Sequence, residues 1–92
     1  MIKSFKHRGL KLFHEQSNGK LLNPDHLKRI RRLLDALDAV SDVNSLNYQG
    51  NYLHELKGQQ KGIWSMRVSG NWRITFRFIE GHAYDVNLED YH

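Results

Sequence analysis

The strongest constraint on how this chain folds is a change of period. From Leu53 onward the apolar residues recur at every second position: Trp64, Met66 and Val68, then Trp72, Ile74, Phe76 and Phe78, then Tyr84, Val86 and Leu88. Side chains alternate across a strand, so each run presents one apolar face, and three consecutive antiparallel strands are predicted. Register follows from making those faces coincide, because a slip of one residue turns every side chain to the other side. A two-residue turn at Gly70-Asn71 would set Arg67 beside Ile74. A three-residue loop, Ser69-Gly70-Asn71, instead pairs Val68 with Trp72, Met66 with Ile74 and Trp64 with Phe76, with Asn71 tolerating the left-handed conformation such a loop needs. The same reasoning on Glu80-Gly81-His82 pairs Phe78 with Tyr84, Phe76 with Val86 and Ile74 with Leu88.

Before Leu53 the period is helical. Ile2 and Phe5 suggest a short first strand, and Leu10, Leu12 and Phe13 form a weak helical face interrupted by Gly9. After the Ser17-Asn18-Gly19 loop, Asn23 as N-cap, Pro24 at the first helical position and Asp25 in the first turn announce a second helix. Its apolar residues Leu27, Ile30, Leu33, Leu34 and Leu37 keep a helical period, with Lys28, Arg29, Arg31 and Arg32 mainly on the other, solvated side. Ser41 and Asp42 can cap a short third helix holding Val43 and Leu46.

A length of 92 residues with 39% hydrophobic and 26% charged content and a single proline fits one folded domain, residues 1–92. Charges at Lys3, Lys6, Arg8, Lys11 and Glu15 leave no apolar run for a signal peptide or membrane span, so a cytoplasmic address and no membrane partner are expected. The absence of cysteine excludes disulfides, thiolate metal sites and thiol nucleophiles. Chemistry is left to His, Lys, Arg, Tyr and carboxylates. The formal charge of +4 favours an anionic partner, and its placement matters more than its size. One cluster is the Lys28–Arg32 run; the other is Lys57, Lys61, Arg67, Arg73 and Arg77, a stretch without a carboxylate.

The predicted registers put these arginines on the face opposite the apolar stripe, with Arg67 across from Arg73, Arg73 between Arg67 and Glu89, and Arg77 across from Asp85. Directly opposed like charges destabilise a sheet by up to about 1 kcal/mol, which a bound polyanion would relieve. A solvated ladder completed by Glu89 and Asp85 accounts for the same residues equally well. Both tryptophans fall on the apolar stripe and read as core. None of the six histidines has a metal-binding spacing, so neither metal nor cofactor is expected. His54 and His92 stand apart, at the two ends of the sheet segment: His54 lies three residues before Lys57, and His92 follows Asp90 and Tyr91. Imidazole titrates near about 6.5, suited to proton transfer at neutral pH. A frayed terminus is the ordinary alternative for His92.

Taken together, Leu53-His54-x-Leu56-Lys57-Gly58, Gly62-x-Trp64-Ser65, Asn71-Trp72-Arg73-Ile74-x-Phe76 and the terminal Glu89-Asp90-Tyr91-His92 resemble the HigB-type toxins, or plasmid maintenance killer proteins, of the RelE/ParE toxin superfamily. The resemblance spans the chain and is strongest from Leu53 to His92. It implies an α+β fold, with a short N-terminal strand and two to three helices packed on a curved antiparallel sheet. It also implies a toxin of a type II toxin–antitoxin system that enters the ribosomal A site and cuts translated messenger RNA. A helix-turn-helix antitoxin of the HigA type would silence it, the pair binding operator DNA together. Residue by residue, His54, Lys57, Arg73, Asp90, Tyr91 and His92 match the family's active-site positions, and Lys61, Arg67 and Arg77 are the expected additional RNA contacts. Glu55 stands where proline is common and Gln60 where arginine often sits, departures that bear on substrate grip. Two rival readings are a ParE-like gyrase poison that does not cleave and a plain basic nucleic-acid-binding module.

Overall fold

The computed structural model of the chain describes residues 1–48 and 50–90; Gln49, Tyr91 and His92 lie outside the description. Helix α1 spans Arg8–Gln16 and α2 spans Leu27–Ala39, followed by strands β1 (His54–Glu55), β2 (Ile63–Ser69), β3 (Trp72–Ile79) and β4 (His82–Asp90). The strands form one antiparallel sheet in the order β1-β2-β3-β4. Two helices packed on a four-stranded antiparallel sheet make an α+β fold, as the resemblance implies.

Both helices start and stop for local reasons. The His7 imidazole accepts a hydrogen bond from the Leu10 amide, capping α1, and Ser17 ends it in the left-handed conformation with its N–H bonded to the Phe13 carbonyl. Gly9 does not interrupt this helix as the sequence suggests. It is buried inside the first turn, where a Cβ would come within 2.9 Å of the His7 ring and 3.1 Å of Leu21. Asn23 accepts from the Asp25 amide at 2.9 Å, as its N-cap reading predicts, but the chain first makes a 3-10 turn over Pro24–His26 before entering α2. The expected third helix is a 3-10 turn, Val43–Leu46, capped by Asp42 alone.

The inner face of α2 supplies Ile30, Leu33, Leu34 and Leu37, all fully buried, and α1 adds Leu10 and Phe13. They pack on Met66, Val68, Ile74, Phe76, Ala83 and Val86 of the sheet. Burying each large aliphatic side chain contributes about 1.5–3 kcal/mol before entropy, so this single layer is the main source of stability. Its outline is the one the two periodicities predict.

The turns differ from expectation in an instructive way. Both hairpins close with two-residue turns, Ser69 pairing with Trp72 and Ile79 with His82. The residue in the left-handed region at the first turn is Gly70 (φ 56) rather than Asn71; at the second, Glu80 (φ 50) and Gly81 (φ 83) both have the positive φ of a type I′ turn. The apolar faces are nevertheless matched, because each hairpin carries a β-bulge that absorbs one residue. In β2 the extra residue is Val68, between the Arg67–Arg73 and Ser69–Trp72 pairs. In β4 the ladder steps from Thr75–Asn87 to Arg77–Tyr84, with Asp85 in the left-handed region (φ 54). Met66–Ile74, Trp64–Phe76 and Ile74–Leu88 pair as predicted; Phe78 faces Ala83 instead of Tyr84, and Ala83 takes the core position expected of Tyr84.

The same bulge explains the N-terminus. Residues 2–5 do not form a regular strand but touch β4 through two parallel bridges, Ile2–Ala83 and Phe5–Val86. The Ser4 hydroxyl accepts from the Asp85 amide at 2.8 Å, satisfying a donor that the bulge takes out of the ladder.

Trp64 is partly buried against the core, as expected, whereas Trp72 is 37% exposed, its ring 6.1 Å from that of His26 at the rim. The basic side of α2 also departs from a uniformly solvated face. Arg31 reaches the Phe13 carbonyl at 2.9 Å with its guanidinium over the Phe13 ring, fastening α2 to α1. Arg29 donates to the carbonyls of Arg67 and Gly50 and to the buried Asn51 side chain. Desolvation by burial, with Arg32 and Arg67 nearby, lowers the Arg29 pKa from its ordinary value.

Candidate active site

The core side chains of the sheet project toward the helices, so its other face is not packed by them, although Ser65, Thr75 and part of the Arg73 guanidinium are still buried there. Cross-strand pairing builds that face in rows, because directly paired residues share a side. The central row is His54, Ser65, Thr75 and Asn87, one residue from each strand. Beside it runs Arg67, Arg73 and Glu89. On the other side are Ile63 and Arg77. The direct opposition of Arg67 and Arg73 predicted from the sequence is therefore present.

The floor of this surface is small and polar. Ser65 is fully buried and Thr75 is 3% exposed. The Thr75 hydroxyl donates to Glu89 at 2.5 Å, fixing that carboxylate, while the Ser65 hydroxyl has no hydrogen-bond partner among the described residues. Arg77 reaches Asp85 at 3.8 Å, so the expected pair forms although Tyr84, not Asp85, faces Arg77 in the ladder. Among the described residues Arg67 is in no ion pair; its guanidinium lies 5.3 Å from the centre of the Tyr52 ring. Carboxylates thus serve one end of the face, at Asp85 and Glu89, and leave the Arg67 end cationic.

The proton-transfer candidates stand at the rims. His54 is exposed on β1, with its Nδ1 3.4 Å from the Tyr52 carbonyl. It lines a shallow groove of about 280 Å³ with Glu55, Leu56, Lys57 and Gln60. The next groove along carries Lys57 and Lys61, so both lysines lie at the β1 edge. The Glu55 carboxylate accepts from the Gly62 amide at 3.0 Å and closes the connection bearing these lysines. Both departures from the family pattern, Glu55 and Gln60, therefore sit beside His54 and Lys57. Asp90 ends β4 opposite Trp72, which puts it by alternation on the side away from Arg73. Tyr91 and His92 lie outside the described residues.

The structure thus gathers His54, Arg67, Arg73 and Arg77 on one face with Lys57 and Lys61 along its edge, and places Asp90 at the end of the sheet. Sequence reasoning missed several neighbours. Lys6 joins Thr75, Arg77, Asp85, Asn87 and Glu89 around a cavity of about 80 Å³ on the same face. It arrives there through the bridges to β4, a contact with no signature in local periodicity. Thr75 and Asn87 were readable as alternating outward residues, but only the pairing of four strands shows them in the row of His54. Among the described residues no group of three or more His, Asp or Glu is placed to hold a metal ion.

This surface offers several fixed cations, a polar floor and an imidazole at the rim, an arrangement suited to gripping a phosphodiester and moving a proton beside it. Comparison with known proteins identifies the family. A family model described as the RelE-like toxin of type II toxin-antitoxin system HigB matches residues 3–92. The chain is 49% identical to the Endoribonuclease HigB of Proteus vulgaris over 92 residues, covering all of both chains. It is 31% identical to Toxin HigB-1 of Vibrio cholerae over 91 residues, which is 97% of this chain and 96% of that relative.

Proposed function

The chain belongs to the HigB-like family of RelE-type toxins of type II toxin–antitoxin systems, and from that premise we propose that it is an endoribonuclease that cuts messenger RNA on the translating ribosome. The observation carrying the RNA part of this reading is the cationic sheet face, on which Arg67, Arg73 and Arg77 share one side with His54 while Lys57 and Lys61 lie along the β1 edge. Several cations on one surface attract and hold the phosphate backbone of a polyanion.

In the proposed reaction the substrate's own 2′-hydroxyl attacks the adjacent phosphorus. The 2′-oxygen–phosphorus bond forms and the bond to the 5′-oxygen breaks, leaving a 2′,3′-cyclic phosphate and a 5′-hydroxyl. One group must take the 2′-hydroxyl proton, another must protonate the leaving oxygen, and cations must stabilise the crowded phosphorane. Arg73 and Lys57 supply the cationic grip. His92, oriented by Asp90, transfers a proton, and His54 with Tyr91 positions the nucleotide or shares that transfer. Arg67, Arg77 and Lys61 extend the contact along the RNA backbone.

As a type II toxin the chain has an antitoxin partner. In the proposal that partner is a HigA-type helix-turn-helix protein, operator DNA is bound only by the toxin–antitoxin complex, and the toxin acts in the ribosomal A site. Replacing His92 with alanine is expected to lower cleavage by about 10²- to 10⁴-fold, the usual range for losing an acid–base group, and replacing Lys57 by about 10²- to 10³-fold, the range for losing one group that stabilises transition-state charge, each with an unchanged melting curve. Full activity in both variants would remove the assignment.

A further inference from the structure

Among the described residues Tyr52 is the most exposed large hydrophobic side chain, at 60%, and its backbone is one of four non-glycine positions there with positive φ, at 51°. An aromatic residue in the left-handed region is uncommon and costs on the order of 1 kcal/mol unless its surroundings impose it. Here they do. On one side Asn51 is fully buried, its amide donating to the Leu46 carbonyl at 2.9 Å and its own carbonyl accepting from the Arg67 amide at 2.9 Å. On the other side His54 is paired to Ser65. Arg29 ties the arrangement together by donating to both the Gly50 and Arg67 carbonyls. The chain is thus pinned before and after Tyr52 and kinked between.

The kink lifts the phenol ring out of the core and sets it against the Arg67 guanidinium, 5.3 Å from its carbon to the ring centre. Two residues later stands His54, in the row of Ser65 and Thr75. A flat, exposed π surface on a pinned backbone, backed by a cation and beside a cationic face, is the arrangement used to stack an unpaired base. We propose that Tyr52, braced by Arg67, is the platform on which one base of the RNA stacks, so that the backbone of that nucleotide is delivered between His54 and Arg73. Tyr52 is a positioning residue in this scheme: it selects for an unstacked base and takes no proton. The inference rests on the endoribonuclease reading, which supplies the RNA.

The test uses the full chain and ribosomes programmed with a messenger whose A-site codon carries 2′-deoxy sugars, which block attack, and 2-aminopurine at each position in turn. At one position the native protein and Tyr52→Phe should quench the fluorescence. Tyr52→Leu and Tyr52→Gly should not, and should bind roughly 5- to 150-fold more weakly, the range for losing one stacked base. Tyr52→Gly also relieves the left-handed backbone, so its melting temperature should equal or exceed that of the native chain. Undiminished quenching in Tyr52→Leu, full cleavage of an unmodified messenger by Tyr52→Gly, or unfolding of Tyr52→Gly would each overturn the assignment. Failure of the native protein to cut an unmodified messenger would instead count against the enzyme itself.

Discussion

His7 shows how much a single side chain of this molecule depends on its protonation. Its imidazole caps α1 only by accepting a hydrogen bond from the Leu10 amide, which a protonated ring nitrogen cannot do. Burial lowers its pKa, so the folded chain holds it neutral while the unfolded chain takes up a proton at the ordinary value. Between those two values the unfolded state binds more protons, and stability therefore rises with pH. The capping contribution is complete above the ordinary imidazole value near about 6.5 and is lost as pH falls through the lowered folded value. His7→Asn, which keeps an acceptor, should flatten this part of a plot of melting temperature against pH between about 7 and 5. An unchanged slope would assign the acid sensitivity to another group. Nothing in the sequence marks His7 as a cap, since histidine is not a favoured capping residue and the first turn contains Gly9. The roles proposed for Arg73 and Lys57 rest on their place in a family pattern; alternation alone left the cationic face open to two readings. Tyr52 was invisible for a further reason: its exposure comes from a backbone kink set by Asn51 and Arg29, which are remote from it in hydrogen-bonding pattern or in sequence.

At the level of elements, the strands were legible because burial imposes a period of two, and register survived an error about the turns. Matching Met66 to Ile74 and Ile74 to Leu88 is what the core requires, and the chain meets that requirement with tight turns plus bulges instead of longer loops. Hydrophobic pattern determines the pairing in the middle of a hairpin but is silent on whether the odd residue is placed in the turn or in the strand. Asp85 tests this description. Its exposed pair with Arg77 contributes little, whereas its left-handed backbone is a real cost that glycine would avoid. Asp85→Gly should melt at or above the native temperature, and Asp85→Val should lose about 1–2 kcal/mol by chemical denaturation. Equal loss in both would mean that the carboxylate matters more than the bulge.

The second helix was legible as an amphipathic element, yet its cationic side divides into different tasks. Arg29 satisfies carbonyls of Arg67 and Gly50 that have come out of regular pairing, and Arg32 is exposed. Arg29→Ala should therefore cost about 1–3 kcal/mol in urea unfolding, from the part-buried Arg67 carbonyl and the Asn51 side chain left without this donor, while Arg32→Ala stays within about 0.5 kcal/mol. Comparable small losses in both would return Arg29 to the solvated side assigned to it by helical periodicity.

Across the whole molecule the division of labour follows from two layers. One sheet face is consumed by the core with α1 and α2, and the other is left open with His54, Arg67, Arg73 and Arg77 upon it. Stability is concentrated where the chain is apolar and periodic, which leaves the opposite face to polar and charged residues. Lys57 and Lys61 extend that cationic surface to the β1 edge, and Asp90 leads into the terminal residues Tyr91 and His92. The central claim is that this open face cuts messenger RNA while the ribosome presents it. Its most direct test is to incubate the purified protein with a messenger alone and with ribosomes programmed by the same messenger, and to map the new 5′ ends. Cuts confined to the A-site codon of ribosome-bound messenger are expected. An intact messenger in both mixtures, with gyrase arrested on DNA instead, would contradict the account.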